Sequence, residues 1–153
     1  MKQKADAIVL ASIDSIDRTD MKYSNFGTTY GTLTVQKVLY GSINQTKPIP
    51  YTKEGGIVKY EDWQAVHDVE LDPSYSYIQS YLDTDTMLEA DKTYLVYLIY
   101  NKDLQAYDMI GYGEGIREVK DFDLNAFSSI KIKNNQSQEY ELLQDYIDNY
   151  IKE

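Results

Sequence analysis

The sequence has no cysteine, one histidine, one tryptophan and three prolines among its 153 residues. Without cysteine there can be no disulfide, no thiol nucleophile and no thiolate metal site. Cysteine-free chains occur in every compartment, so this absence does not locate the protein. With His67 as the sole imidazole, metal sites that need two or more histidines are excluded, the H-E-x-x-H zinc motif among them. A Ser-His-Asp hydrolase would have to use that one residue without a G-x-S-x-G elbow, which the sequence lacks. No run approaches the ~18 apolar residues of a membrane-spanning helix. Cations are also scarce, 15 Lys and Arg against 25 Asp and Glu, for a formal net charge of −10. Phosphate backbones are gripped by clustered Lys and Arg, so nucleic acid and anionic membrane surfaces are set aside as partners. The acidity itself reads as a solubility device. The opening residues, Met1-Lys2-Gln3-Lys4-Ala5-Asp6, lack the apolar stretch of a signal peptide. The chain therefore reads as a cytoplasmic protein or as the mature part of an exported one.

What is present is a full complement of core-forming residues, 42% hydrophobic, in a length suited to one domain spanning 1–153. Aromatic content is skewed towards tyrosine, 16 against three Phe and one Trp. Tyrosine suits half-buried strand faces, where the ring packs and the hydroxyl reaches water. It also suits binding surfaces, because its rigid ring provides contact area at low entropic cost.

Hydrophobic periodicity predicts mainly strands. Residues 5–16 carry the apolar run Ile8-Val9-Leu10, continued by Ile13 and Ile16, and read as a strand buried on both faces near its start. Residues 28–40 form the clearest strand, dense in β-branched and aromatic side chains, with a shift of alternation at Lys37-Val38 that predicts a bulge. Ile49 and Tyr51 lie among Pro48 and Pro50, which predicts a short edge strand. Glu54-Gly55-Gly56 turns the chain into Ile57-Val58. Strand signals fade between 60 and 86, an excursion expected to contain one or two short helical turns. Residues 93–100 are the most apolar and predict a central strand, followed by strands near 106–112 and 116–119. Residues 131–136 read as a linker. In the tail, Leu142, Leu143, Tyr146, Ile147, Tyr150 and Ile151 follow helical spacing, predicting an amphipathic helix over about 137–152 with Ser137 as N-cap. Its apolar face is expected to pack on the sheet.

The ordered set Ala5-Asp6-Ala7-Ile8-Val9, Leu33-Thr34-Val35-Gln36-Lys37-Val38-Leu39-Tyr40-Gly41, Glu54-Gly55-Gly56-Ile57-Val58, Lys92-Thr93-Tyr94-Leu95-Val96-Tyr97-Leu98 and Ile110-Gly111 with Gly115 resembles a group of uncharacterised exported domains of Gram-positive bacteria, commonly lipoproteins or cell-surface proteins. The resemblance covers about residues 5–120. It implies an OB-like Greek-key β-barrel, remotely similar to netrin and metalloproteinase-inhibitor modules. The whole chain is thus expected to be β-rich α+β, a barrel with a helical excursion and a C-terminal amphipathic helix. Inhibitory function does not carry over, because those modules depend on an N-terminal cysteine and disulfides. The resemblance implies an extracellular or surface-anchored location, with a cytoplasmic one as the alternative, and it supplies no catalytic residues.

Few groupings carry chemistry. The acids Asp83, Asp85, Glu89 and Asp91 alternate in a way that can chelate calcium, but the EF-hand pattern fails, since counting from Asp83 its glycine and closing-acid positions hold Leu88 and Tyr94. A solvated turn accounts for them. Gly111-Tyr112-Gly113-Glu114-Gly115 is neither G-x-G-x-x-G nor followed by Lys-Ser/Thr, so it reads as turn glycines and not as a phosphate loop. No catalytic, cofactor or metal site is assigned. The remaining candidate is an aromatic surface on the excursion, made of Trp63, Tyr75, Tyr77 and Tyr81, suited to a protein or glycan, with a small anchoring core as its structural counterpart. The expected function is a non-enzymatic binding or interaction domain of the bacterial cell envelope; the alternative is a carboxylate-based hydrolase of cell-wall glycans, which needs two acids facing each other across a cleft. A third reading has the apolar face of the C-terminal helix serving assembly of a larger surface complex.

Overall fold

The structure is a computed structural model and describes residues 2–44, 47–68, 74, 76–80 and 85–152. Two long strands, β1 (Ala7–Asp20) and β2 (Thr28–Gly41), form its spine. They are followed by β3 (Ile49–Glu54), β4 (Gly56–Lys59), the helix α1 (Tyr60–His67), β5 (Tyr77–Ser80), β6 (Thr93–Asn101) and β7 (Ala106–Ile110). A helical turn α2 (Tyr112–Gly115) leads to β8 (Ile116–Lys120), β9 (Lys131–Lys133), β10 (Tyr140–Leu142) and a closing helix α3 (Leu143–Tyr146) that continues as a π turn, Ile147–Ile151. The fold is β-rich, with a large mixed sheet of eight strands in the order β1-β2-β3-β7-β6-β8-β9-β10 and a separate β4–β5 pair.

Strand β1 is paired on both edges. It runs antiparallel to β2 along its whole length and antiparallel to β6 over Ala7–Ser12. Because successive side chains of a strand point to opposite faces, the unbroken apolar run at its start feeds two separate cores. Ala7, Val9, Ala11 and Ile13 join Leu33, Tyr51, Val96 and Leu98 in one. Ile8 and Leu10 join Leu95, Tyr97, Ile130, Ile132 and Leu143 in the other. Strand β6 repeats this two-sided pattern and is central, pairing with β1, β7 and β8. Each fully buried aliphatic side chain in these layers contributes about 1.5–3 kcal/mol of transfer free energy.

The bulge expected at Lys37-Val38 falls on either side of that dipeptide, which itself pairs in register with Leu10 and Val9. The β1–β2 register slips at two points on β2, passing over Leu39 and Gln36, and at two on β1, passing over Asp14 and Asp17. Each slip bends the pair and increases its twist. The pair closes up tightly at Gly31, where a Cβ would meet the Ser15 carbonyl oxygen at 2.1 Å. Only glycine fits there.

Three expectations are corrected. Strand β3 is not an edge: β2 flanks it on one side and β7, in parallel, pairs with Tyr51 and Thr52 on the other. Both prolines precede that parallel contact, so the missing N–H groups cost it nothing. Residues 131–136 are not a linker, because β9 lies within them and buries Ile132 completely. The C-terminal helix begins at Leu143 and not at Ser137. Asn134 Oδ1 accepts from the backbone N–H groups of Gln136 and Ser137, and Ser137 Oγ accepts from that of Glu139 at 3.3 Å. These local bonds tighten a hairpin loop between β9 and β10 in place of a helical first turn.

The helix does pack on the sheet, through Leu143, Tyr146 and Ile151. Those three side chains are consumed within the molecule, while Leu142 and Tyr150 of the same predicted face remain exposed. No described helix is long and apolar enough to cross a membrane.

Candidate binding site

The excursion that carries the predicted aromatic surface is described in part. Tyr75 and Tyr81 lie outside the described residues. Trp63 sits on α1 and stacks on His67, ring centroids 4.3 Å apart and 18° from parallel. His67 Nε2 lies against the carbonyl oxygen of Asn25 and ties the end of α1 to the β1–β2 loop. Tyr77 opens β5 opposite Lys59 and is 60% exposed, and α1 buries none of its residues. Trp63 and Tyr77 are thus not joined in a buried core; Tyr77 instead lines a shallow hollow with Lys59, Tyr60, Glu61 and Ser76.

Two of the acids considered for calcium, Asp85 and Glu89, are held in ion pairs. Asp85 forms a 2.7 Å ion pair with Lys53, both side chains being almost completely buried, and Glu89 pairs with Lys92. Asp83 lies outside the described residues.

Two hollows carry more chemistry. The first, about 450 Å³, opens between the β1–β2 loop, the end of β3 and the β6–β7 hairpin. Glu54, Asp103 and Asp108 line it, and no Lys or Arg does. Asp108 is held by Thr52 Oγ1 on one oxygen and by Asn101 Nδ2, at 3.1 Å, on the other.

The second hollow, about 600 Å³, lies over the outer face of the sheet, between the C-terminal helix and the β8–β10 flank. Its floor is Tyr97 of β6, whose hydroxyl shares a buried 2.6 Å hydrogen bond with that of Tyr146. Burial, and then the bond to Tyr146, push the Tyr97 phenol well above its ordinary value. The Tyr97 hydroxyl is therefore neutral at physiological pH. Strand alternation puts Ile116 of β8 in the inner core and Arg117 on the hollow side. The Arg117 guanidinium lies over the Tyr146 ring, 4.7 Å from its centroid, donates from Nη1 to Glu141 Oε1 at 3.1 Å and from Nε to the Glu114 carbonyl oxygen at 3.0 Å. Glu114 is brought there by the α2 turn, which starts at Gly111 in the left-handed region with φ 85° and is braced by Asn135 Nδ2 on the Gly113 carbonyl oxygen.

The π turn fixes the rim. Lys152 N–H bonds the Ile147 carbonyl oxygen five residues back, so the chain advances by five and not by about four residues there. Tyr146 and Ile151 consequently both face the core, while Tyr150 swings outward. Tyr150 is 64% exposed, its ring centroid 5.0 Å from that of Tyr146 and tilted by 36°. Lys2 completes the rim, its Nζ donating to the Ile151 carbonyl oxygen at 2.9 Å.

Sequence reasoning missed this hollow because its parts come from Lys2, Tyr97, Arg117, Glu141 and Tyr150, distant from one another along the chain. The accessible signal was the spacing of four between Tyr146 and Tyr150, which α-helical geometry alone would turn the same way. Compared with known proteins, the chain matches no family model, no curated protein and no solved structure.

Proposed function

We propose that this protein is a non-enzymatic binding domain whose ligand seats in the tyrosine-walled hollow over Tyr97. The observation that carries the reading is a concave site with an aromatic floor and wall, Tyr97 and Tyr146, an exposed ring at the rim, Tyr150, and converging charged groups already held in geometry, Arg117 with Glu141. Ligand sites typically combine an apolar or aromatic lining with a few fixed polar groups. We propose further that the scaffold is an OB-like Greek-key barrel. Support comes from the antiparallel chain of pairings β1–β2–β3, the parallel β3–β7 contact and the antiparallel β7–β6 and β6–β1 contacts. The envelope of a Gram-positive bacterium as its location, extracellular or surface-anchored, rests on the ordered sequence motifs quoted above, and the partner is a protein or glycan of that envelope.

The reading is tested by amide NMR of the whole chain titrated with two panels, short peptides and neutral and charged cell-wall-type oligosaccharides. Shifts confined to residues 97, 117, 141, 146 and 150 are expected. If no member of either panel moves those resonances, the binding reading fails.

A second reading, a carboxylate-based hydrolase of cell-wall glycans, draws on the other hollow, where three carboxylates line one cleft without a cation among the lining residues. Mass spectrometry of the same glycan mixtures tests it: product that disappears in the Glu54→Gln and Asp103→Asn variants supports hydrolysis, and intact oligosaccharide sinks it.

A further inference from the structure

We infer that the tyrosine-walled hollow selects an uncharged, hydroxyl-rich ligand, a neutral oligosaccharide, and rejects charged ones; this rests on the reading of the hollow as the binding site. Three observations lead to that class.

The first is charge. The hollow holds two cations, Lys2 and Arg117, and two carboxylates, Glu114 and Glu141, so its formal charge balances in a molecule that is otherwise strongly acidic. The cations are already engaged. Arg117 is committed to Glu141, to the Glu114 carbonyl oxygen and to the Tyr146 ring, and its side chain is only 13% exposed. Lys2 is held by the Ile151 carbonyl oxygen and lies over the Tyr40 ring. A ligand charge that engaged Arg117 or Glu141 would have to displace the other member of that part-buried pair and leave it uncompensated, which is costly away from bulk water. A hydroxyl group is both donor and acceptor. It can bridge a carboxylate and a guanidinium without separating them.

The second is the exposed ring. Tyr150 stands 64% exposed at the rim, its ring tilted by 36° against that of Tyr146. The face of an aromatic ring is its negative side. A pyranose offers a matching surface, one face of weakly positive C–H bonds edged by hydroxyls. Such a ring laid on Tyr150 enters the hollow that Glu141 and Arg117 also line.

The third is the backbone. Peptides are commonly bound by adding a strand to a free sheet edge. The strands that carry Tyr97 and Arg117 offer none: β6 pairs with β1, β7 and β8, and β8 pairs with β6 and β9, so that among the described strands around the hollow only β10 at its flank, paired with β9 alone, has an open side. Recognition here falls to side chains, as it does for sugar hydroxyls.

The test uses three tetrasaccharides: neutral chitotetraose, the cationic chitosan tetramer and the anionic hyaluronan tetrasaccharide, each titrated into the whole chain in a mildly acidic buffer that keeps the chitosan amines protonated and the carboxylates ionised, and followed by amide NMR. Chitotetraose is expected to shift the resonances of residues 117, 141, 146 and 150, with the two charged probes at least about tenfold weaker. Tyr150→Ala is expected to weaken chitotetraose by about tenfold, and Tyr150→Phe to retain binding, since both leave the buried rings in place. A charged probe that binds this hollow as tightly as chitotetraose overturns the inference, as does wild-type affinity in Tyr150→Ala. If a short peptide shifts these resonances and no glycan does, the inference falls while the binding reading stands. If neither class moves them, both fall.

Discussion

The buried ion pair between Lys53 and Asp85 allows a sharp test of how the segment after the excursion is held. Lys53 Nζ lies 2.7 Å from Asp85 Oδ2, with side-chain exposures of 5% and 2%, and also donates to the Glu54 carbonyl oxygen at 3.2 Å. Asp85 Oδ1 accepts the Thr86 N–H at 2.8 Å, so both carboxylate oxygens are used. The pair joins β3 to a segment that forms no strand of its own. Replacing Lys53 with Met keeps the aliphatic stem and deletes the charge, leaving the Asp85 carboxylate buried without a counter-ion. Breaking a buried pair from one side costs about 3–5 kcal/mol. For a chain of this size each kcal/mol lowers Tm by roughly 2–4 °C, so Lys53→Met should melt roughly 6–20 °C below the parent. The double variant Lys53→Met/Asp85→Leu removes both charges and substitutes apolar contact, and should recover most of that loss. Urea denaturation followed by circular dichroism gives the four corners of a double-mutant cycle. A loss below about 1 kcal/mol in Lys53→Met, or a double variant as unstable as the sum of its singles, refutes the reasoning.

Alkaline titration should separate the tyrosines. Burial is the leading cause that raises the phenols of Tyr51, Tyr94 and Tyr97 above their ordinary value. A raised folded-state value means stability is intact below about pH 10, where the unfolded phenol ionises, and falls at higher pH by about 1.4 kcal/mol per pH unit for each such group. Ultraviolet phenolate absorbance should therefore show a late fraction that ionises together with loss of structure, and simple, complete ionisation of a folded chain near the ordinary value would contradict it. Tyr97→Phe should destabilise by about 1–3 kcal/mol, because the Tyr146 hydroxyl loses its buried partner, and Tyr97→Phe/Tyr146→Phe should cost less than the sum of the singles in the same denaturation assay. Gly31→Ala should cost more than the roughly 1–3 kcal/mol of ordinary core overpacking, since its Cβ meets backbone, the Ser15 carbonyl oxygen at 2.1 Å, and the Tyr51 hydroxyl at 2.6 Å. Measured stability within about 0.5 kcal/mol of the parent would show that β1 and β2 can separate there.

The strands that a residue-by-residue reading finds are those whose composition and burial agree. Residues 5–16 read as two-sided because an apolar triplet has no polar partner face, and β1 buries Ile8, Val9 and Leu10 completely. Residues 93–100 read as central for the same reason, and β6 is paired with three strands. The misreadings occur where a short-range signal was outvoted by a distant partner. Proline at 48 and 50 signals an edge, but the contact with β7 starts beyond them, at Tyr51. Ile130-Lys131-Ile132-Lys133 alternates as a half-buried strand should, yet it is too short to stand out; its reality depends on β8 at Val119 and β10 at Glu141, both pairing with Ile132. Ser137 has the chemistry of a helix cap, but the same hydroxyl serves a tight turn equally well, and Asn134 had already taken the neighbouring N–H groups.

The site was less legible than the fold, and the tyrosines explain why. Counting them points to the excursion, where Trp63, Tyr75, Tyr77 and Tyr81 crowd together in sequence. Of the two described, Trp63 stacks on its own helix and Tyr77 stands exposed on β5. The rings that share a concavity are Tyr97, Tyr146 and Tyr150, from a central strand and from the tail. Proximity in sequence made the first group conspicuous, whereas the second depends on two geometric facts with no simple sequence signature. One is that β6 sends Tyr97 to the outer core, so that a second layer is needed to cover it. The other is that the covering helix widens into a π turn between Tyr146 and Ile151. With α-helical spacing throughout, Tyr150 would follow Tyr146 onto the sheet and Ile151 would be displaced. The extra residue in that turn keeps Ile151 in the core and frees the Tyr150 ring for the rim. Forcing the segment back to regular α-helix, by deleting Asn149, should draw the following tyrosine into the layer and abolish ligand-induced shifts at the rim while the inner core around Val96 is unchanged.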